Sequence, residues 1–147
     1  MEETRIVNAT WDVSTFKYRI EGQGLTRMLS GMRDAKLIGI KCSKCGTVYL
    51  PGSFYCRKCH IEIDEAIEVG DHGEVMTYTV GYADVRGNPL EEPRVSPMVK
   101  FDGCDAWVMG ALEGVKPEDV HVGMRVKVAW AEERTGSLQD MQYFIPE

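Results

Sequence analysis

Four cysteines set as two Cys-x-x-Cys pairs with ten residues between them, in KCSKCGTVYLPGSFYCRKCH from Lys41 to His60, constrain this chain more than any other feature. Each pair can turn two sulfurs onto one metal ion from a tight bend, and Gly46 supplies the backbone freedom needed after the first pair. Cys42, Cys45, Cys56 and Cys59 are therefore the expected ligands of one zinc ion. Four thiolates leave no coordination position for water, so such a zinc folds the chain and does not catalyse. Metal-free thiols and an iron–sulfur cluster are the alternatives; the short hairpin GTVYLPGSFY suits a rubredoxin-like zinc ribbon better. The paired spacing favours Cys59 over His60 as fourth ligand and leaves His60 beside the site.

The rest of the composition is that of a water-soluble chain, 44% hydrophobic and 27% charged over 147 residues. No apolar run approaches the roughly 18 residues of a membrane span. MEETRIVNATWDVSTFKYRI lacks the basic and apolar regions of a secretory signal, so a cytoplasmic location is expected. In that reducing compartment, paired knuckle cysteines are metal ligands before they are disulfides.

Charge is uneven. From Arg33 to His60 six bases face one acid, a local +5 in a chain of net −6, and IEIDEAIEVGDHGE follows with six acids and no base. A polyanion binder draws its affinity from many phosphate contacts and would not be built this way. A small anionic group can still meet Lys41, Lys44, Arg57 and Lys58, although a dianionic zinc–thiolate unit would lower the local +5 to +3 and use these cations partly as its own counter-charges.

Along the chain, residues 1–22 have scattered apolar positions and suggest an extended arm. Leu25, Met28, Leu29 and Met32 then follow the spacing of one helical face, with the helix ending near Ala35, and KLIGIK reads as a short strand. After the cysteines GEVMTYTVGYADV reads as a strand, RGNPLEEPR as an exposed loop, and VSPMVKFDGCDAWVMGALEGV as two strands around either a two-residue Asp102-Gly103 turn or a longer Asp102-Gly103-Cys104-Asp105 loop. KPEDVHVG allows one helical turn, and MRVKVAWAEE and LQDMQYFIP are the last two strands. Five strands in about 75 residues leave no room for helical crossovers. The expected fold is mainly β: an arm and short helix (1–36), a zinc ribbon (37–62) and a five-stranded OB-fold barrel (63–147).

No phosphate loop, paired carboxylates or Ser/His/Asp set appears. Cys104 has no histidine near it in sequence and reads as a buried or loop cysteine; His72 and His121 read as surface or capping residues. The ribbon's apolar tip, with Tyr49 and Phe54 foremost, covers the metal or docks on a partner. A rival function is binding of single-stranded nucleic acid, with Tyr78, Tyr82 and Trp107 as stacking residues.

The order of parts, MRDAKLIGIKCSKCGTVYLP, CRKC, GEVMTYTV and then SPMVKFDGCDAWVMGALEGVKPEDVHVGMRVKVAW, resembles the zinc-ribbon plus OB-fold family of acyl-CoA-associated proteins over roughly residues 25–135. The resemblance implies a small non-catalytic partner of a thiolase-superfamily enzyme in a hetero-oligomer. On that reading the partner carries the catalytic residues and acts on a 3-oxoacyl-CoA, and this chain supports assembly and helps hold the CoA thioester. The small subunit of a benzoylsuccinyl-CoA type thiolase, from the breakdown of aromatic compounds, is the specific expectation. Met28 and Leu29 stand where family members often have an aromatic pair, and Gly52 and Ser53 follow Pro51 where many have Pro-Pro-Arg.

Overall fold

The computed structural model describes residues 23–147; the expected N-terminal arm lies outside the described residues. Helix α1 (Gln23–Arg33) forms on the predicted spacing and buries Met28 and Met32. Its end is a paired-bond cap: the Lys36 N–H donates to the Gly31 carbonyl and the Ala35 N–H to the Met32 carbonyl, both at 3.0 Å. Ala35 occupies the left-handed position of this cap, with φ 55°.

Strands β1 (Leu37–Lys41), β2 (Val48–Tyr49) and β3 (Glu65–Val69) form an antiparallel sheet in the order β2-β1-β3. Sequence reasoning treated β3 as part of an acidic stretch. Its glutamates lie on the solvent side and meet bases of the α1–β1 segment, Glu68 with Lys36 at 2.8 Å and Glu65 with Lys41 at 3.8 Å, while Val69 points into the core.

The second sheet runs β6-β5-β4-β7-β8, from β4 (His72–Ala83), β5 (Pro89–Phe101), β6 (Trp107–Met109), β7 (Arg125–Trp130) and β8 (Met141–Pro146). Leu112 closes it: the Leu112 N–H donates to the Val95 carbonyl at 3.0 Å, and Leu112 bridges in parallel to Phe144 of β8. The five-stranded barrel of the OB type is therefore present. Val75, Val99, Phe101, Val126 and Phe144 fill it, with the two phenyl rings edge to face at 5.9 Å. Gly110 is required there, because a Cβ would stand 2.6 Å from the Phe144 ring.

One expectation needs correcting. Most of RGNPLEEPR is strand: β5 begins at Pro89, and the turn is confined to Asp84–Asn88. The Asp84 carboxylate accepts the Arg86 and Asn88 N–H groups at 2.8 and 2.9 Å, so a side chain, and not a longer loop, makes the reversal. The prolines are tolerated because this part of β5 lies at the sheet edge.

α1, the first sheet and the barrel share one core. Met28, Met32, Leu37, Val48, Leu50 and Val69 belong to the same buried cluster as the barrel interior. The cap at Ala35 yields a test. Ala35→Gly removes the Cβ from a left-handed position and should raise stability by up to about 1 kcal/mol, read as a higher thermal midpoint; a lowered midpoint would contradict the cap assignment.

Candidate metal centre

Strand β1 delivers the chain into the first knuckle at Cys42. There the Gly46 N–H donates to the Cys42 carbonyl at 2.8 Å and the Cys42 N–H to the Thr47 carbonyl at 2.9 Å. The second knuckle repeats this bond for bond, His60 N–H to Cys56 carbonyl at 2.9 Å and Cys56 N–H to Ile61 carbonyl at 2.8 Å. Both knuckles need a left-handed residue after their second cysteine. Gly46 supplies it at φ 74° and His60 at φ 55°, so His60 shapes the turn through its backbone.

The four sulfurs lie within 4.8 Å of one another. Cys45 and Cys56 Sγ are 3.6 Å apart, too far for a disulfide bond of about 2.05 Å. A tetrahedron with metal–sulfur bonds of about 2.3 Å has edges of about 3.8 Å, so the spacing fits one zinc ion. Cys42 and Cys56 are fully buried in a small cluster with Ile40 and Ile63, while Cys45 is exposed.

The sulfurs differ in their surroundings. The Tyr49 hydroxyl, 3.4 Å from Cys56 Sγ, is the main cause that lowers that thiol to about 6. The Thr47 hydroxyl and N–H lower Cys45. Cys59, hydrogen-bonded to Cys45 and partly desolvated, is pushed up to about 12. Four thiolates crowded this closely require a cation, and a zinc held by all four keeps no open position.

Tyr49 and Phe54, paired as candidates for partner contact, have different placements. Tyr49 turns toward the cluster, its hydroxyl also accepting the Arg57 N–H at 3.1 Å, whereas Phe54 is 69% exposed at the ribbon tip. Tyr55 stands beside it and donates its hydroxyl to the His60 carbonyl at 2.8 Å. Of the four candidate cations, Lys41 is paired with Glu65, while Lys44, Arg57 and Lys58 are exposed and have no ion pair among the described residues.

Among the described residues, no histidine or carboxylate is hydrogen-bonded to the Cys104 sulfur. Cys104 is buried and its thiol pushed up by desolvation; the groups within reach of its sulfur are the Val48 and Ala106 carbonyls and the Ala106 N–H. His72 lies between Glu147 and Asp71, and His121 faces the Asp119 carbonyl. Of the aromatics a nucleic-acid binder would use, Tyr78 packs against the core, while Tyr82 and Trp107 are exposed. Among the described residues, no helix is long and apolar enough to cross a membrane.

One structural residue escaped sequence reasoning. Asp105, in the β5–β6 loop, accepts the Val48 N–H on its carboxylate at 2.8 Å and donates its own N–H to the Val48 carbonyl at 3.1 Å. This two-way bond seats the ribbon strand β2 on the barrel. Nothing in the sequence marked it, because the partners are 57 residues apart.

Comparison with known proteins places the chain among relatives of the same build. The family model described as "ChsH2, C-terminal OB-fold domain" matches residues 66–131. A Methanocaldococcus jannaschii protein described as a DUF35 domain-containing scaffold protein is 34% identical over 95 residues, 64% of this chain and 67% of that one. A DUF35-family protein of Sulfolobus solfataricus superposes with a TM-score of 0.65 at 27% identity, covering 82% of this chain and 83% of its own. A chain of the Ltp2-ChsH2(DUF35) aldolase superposes with a TM-score of 0.63 at 21% identity, covering 88% and 98%, which shows a shared fold.

The site geometry predicts the effect of removing a ligand. Cys56→Ser should reduce bound zinc below one per chain and lower the thermal midpoint, and chelation of the unaltered protein should have the same effect. Full zinc occupancy with an unchanged midpoint in Cys56→Ser would refute the ligand set.

Proposed function

This chain belongs to the DUF35 family, and on that premise we propose that it is a non-catalytic, zinc-holding subunit of a complex with a thiolase-like enzyme. The observation that carries the proposal is a closed four-sulfur site on a chain whose one other cysteine, Cys104, is buried beside backbone groups. Such a chain organises a surface and leaves bond-making to another protein. The scaffold description of the Methanocaldococcus relative supports this reading, as does the likeness to a chain of an aldolase.

On this proposal the partner cleaves or forms a carbon–carbon bond in a 3-oxoacyl-CoA with its own cysteine. The ribbon tip presents Phe54 to the partner. Lys44, Arg57 and Lys58 face the phosphates of CoA, with Lys41 in a lesser role because Glu65 engages it. The proposed cellular setting is the cytoplasm, and benzoylsuccinyl-CoA is the first substrate to assay. Nucleic-acid binding is less well supported, since Tyr78 is packed on the core and the net charge is −6.

Two measurements test the proposal. The native complex isolated from the source cells should contain a stoichiometric thiolase-like subunit and about one zinc per chain of this protein. Replacing Lys44, Arg57 and Lys58 together with glutamine should raise the KM of that complex for acyl-CoA several-fold, with kcat little changed. Recovery of the zinc-loaded chain alone, or with nucleic acid, would contradict the subunit reading; an unaltered KM would contradict the phosphate contact.

A further inference from the structure

The two knuckles match in their backbone bonds, but their four sulfurs do not match in their outer partners. In the first knuckle the Thr47 hydroxyl lies 3.3 Å from Cys45 Sγ, and the Thr47 N–H bonds the same sulfur. In the second, the Tyr49 hydroxyl and the Cys59 N–H each lie 3.4 Å from Cys56 Sγ. A sulfur that holds a metal has lost its proton, so in both pairs the hydroxyl donates. The Tyr49 oxygen accepts the Arg57 N–H at 3.1 Å, which leaves its own hydrogen for the sulfur. Among the described residues, no N–H or O–H donates to the sulfur of Cys42 or Cys59.

Two properties then sort the sulfurs. A hydrogen bond draws charge from the lone pairs of a thiolate and weakens it as a nucleophile, and burial keeps reagents away from it. Cys56 is both hydrogen-bonded and fully buried. Cys42 has no donor but is fully buried as well. Cys45 is exposed, yet its charge is shared with Thr47. Cys59 alone of the four combines partial exposure with a sulfur that receives no hydrogen bond.

We propose that Cys59 is the modification site of the metal centre, the sulfur that reacts first with soft carbon electrophiles, and that Thr47 directs the reaction there by quenching Cys45. This inference rests on the metal-centre reading above. In the step itself a lone pair of the Cys59 sulfur forms a bond to the electrophilic carbon, and the leaving group departs with the electron pair of the broken bond. No oxidant or reductant takes part. The thioether so formed is uncharged, so one of four ligand charges is lost and the second knuckle is held less firmly. Tyr55, next to Phe54, bonds the His60 carbonyl through its hydroxyl, so loosening that knuckle loosens the ribbon tip.

The test exposes the zinc-loaded chain to a limiting amount of iodoacetamide, locates the label by peptide mass mapping and measures released zinc in parallel. Here the new S–C bond replaces the C–I bond and iodide leaves. Cys59 should be labelled about tenfold faster than Cys45, with zinc released in step. Thr47→Val removes the hydroxyl and should bring labelling of Cys45 up to that of Cys59 or above it, whereas Thr47→Ser should keep the original order. Exposure alone would put Cys45 first in all three proteins. Cys45 labelled first in the unaltered zinc-loaded chain would overturn the inference and leave the metal site standing. Unchanged labelling of Cys45 in zinc-loaded Thr47→Val would overturn the part given to Thr47. A chain that takes up no zinc would remove the metal reading and this inference together.

Discussion

The four sulfurs are the constraint from which the rest of the ribbon follows. Its outer half has a core of only Ile40, Cys42, Cys56 and Ile63, with Tyr49, Cys59 and Ile61 partly buried against it. Ordering backbone costs on the order of 1–2 kcal/mol per residue, more than so few aliphatic contacts offset. A metal ion held by all four sulfurs would supply the difference, provided that both knuckles present their sulfurs at the same spacing. The matched hydrogen bonds at Gly46 and His60 achieve that.

Inward from the metal, the ribbon stops being a separate module. β1 carries Leu37 into the shared core, β3 adds Val69, and α1 lays Met28 and Met32 over them. Asp105 then fixes β2 by bonding both polar groups of Val48. The shared core and the Asp105–Val48 bonds fix the position of the Phe54 tip and its neighbouring cations relative to the barrel. The Arg125 guanidinium, bonded to Asp102 at 2.7 and 2.9 Å, braces the β5–β6 loop that carries Asp105.

Local chemistry was legible in the sequence where a single period or spacing decided it. The cysteine pairs gave the sulfur cluster, Leu25 to Met32 gave α1 and its end at Ala35, and alternating runs gave the barrel strands. Where local signals conflicted with tertiary pairing, the sequence misled. β3 was hidden by glutamates whose partners, Lys36 and Lys41, are known only from the register of the sheet. The start of β5 was hidden by prolines that an edge strand tolerates. Tyr49 and Phe54 had equal claims as tip residues until the fold turned one toward Cys56 and the other to solvent. Asp105 had no local signal, because its value lies wholly in a bond across 57 residues.

Ribbon and barrel are one body, joined through a common core. Differential scanning calorimetry of the zinc-loaded chain tests it most directly. One transition with equal calorimetric and van't Hoff enthalpies is the predicted result. Two separable transitions, with the ribbon melting first while the barrel persists, would contradict it.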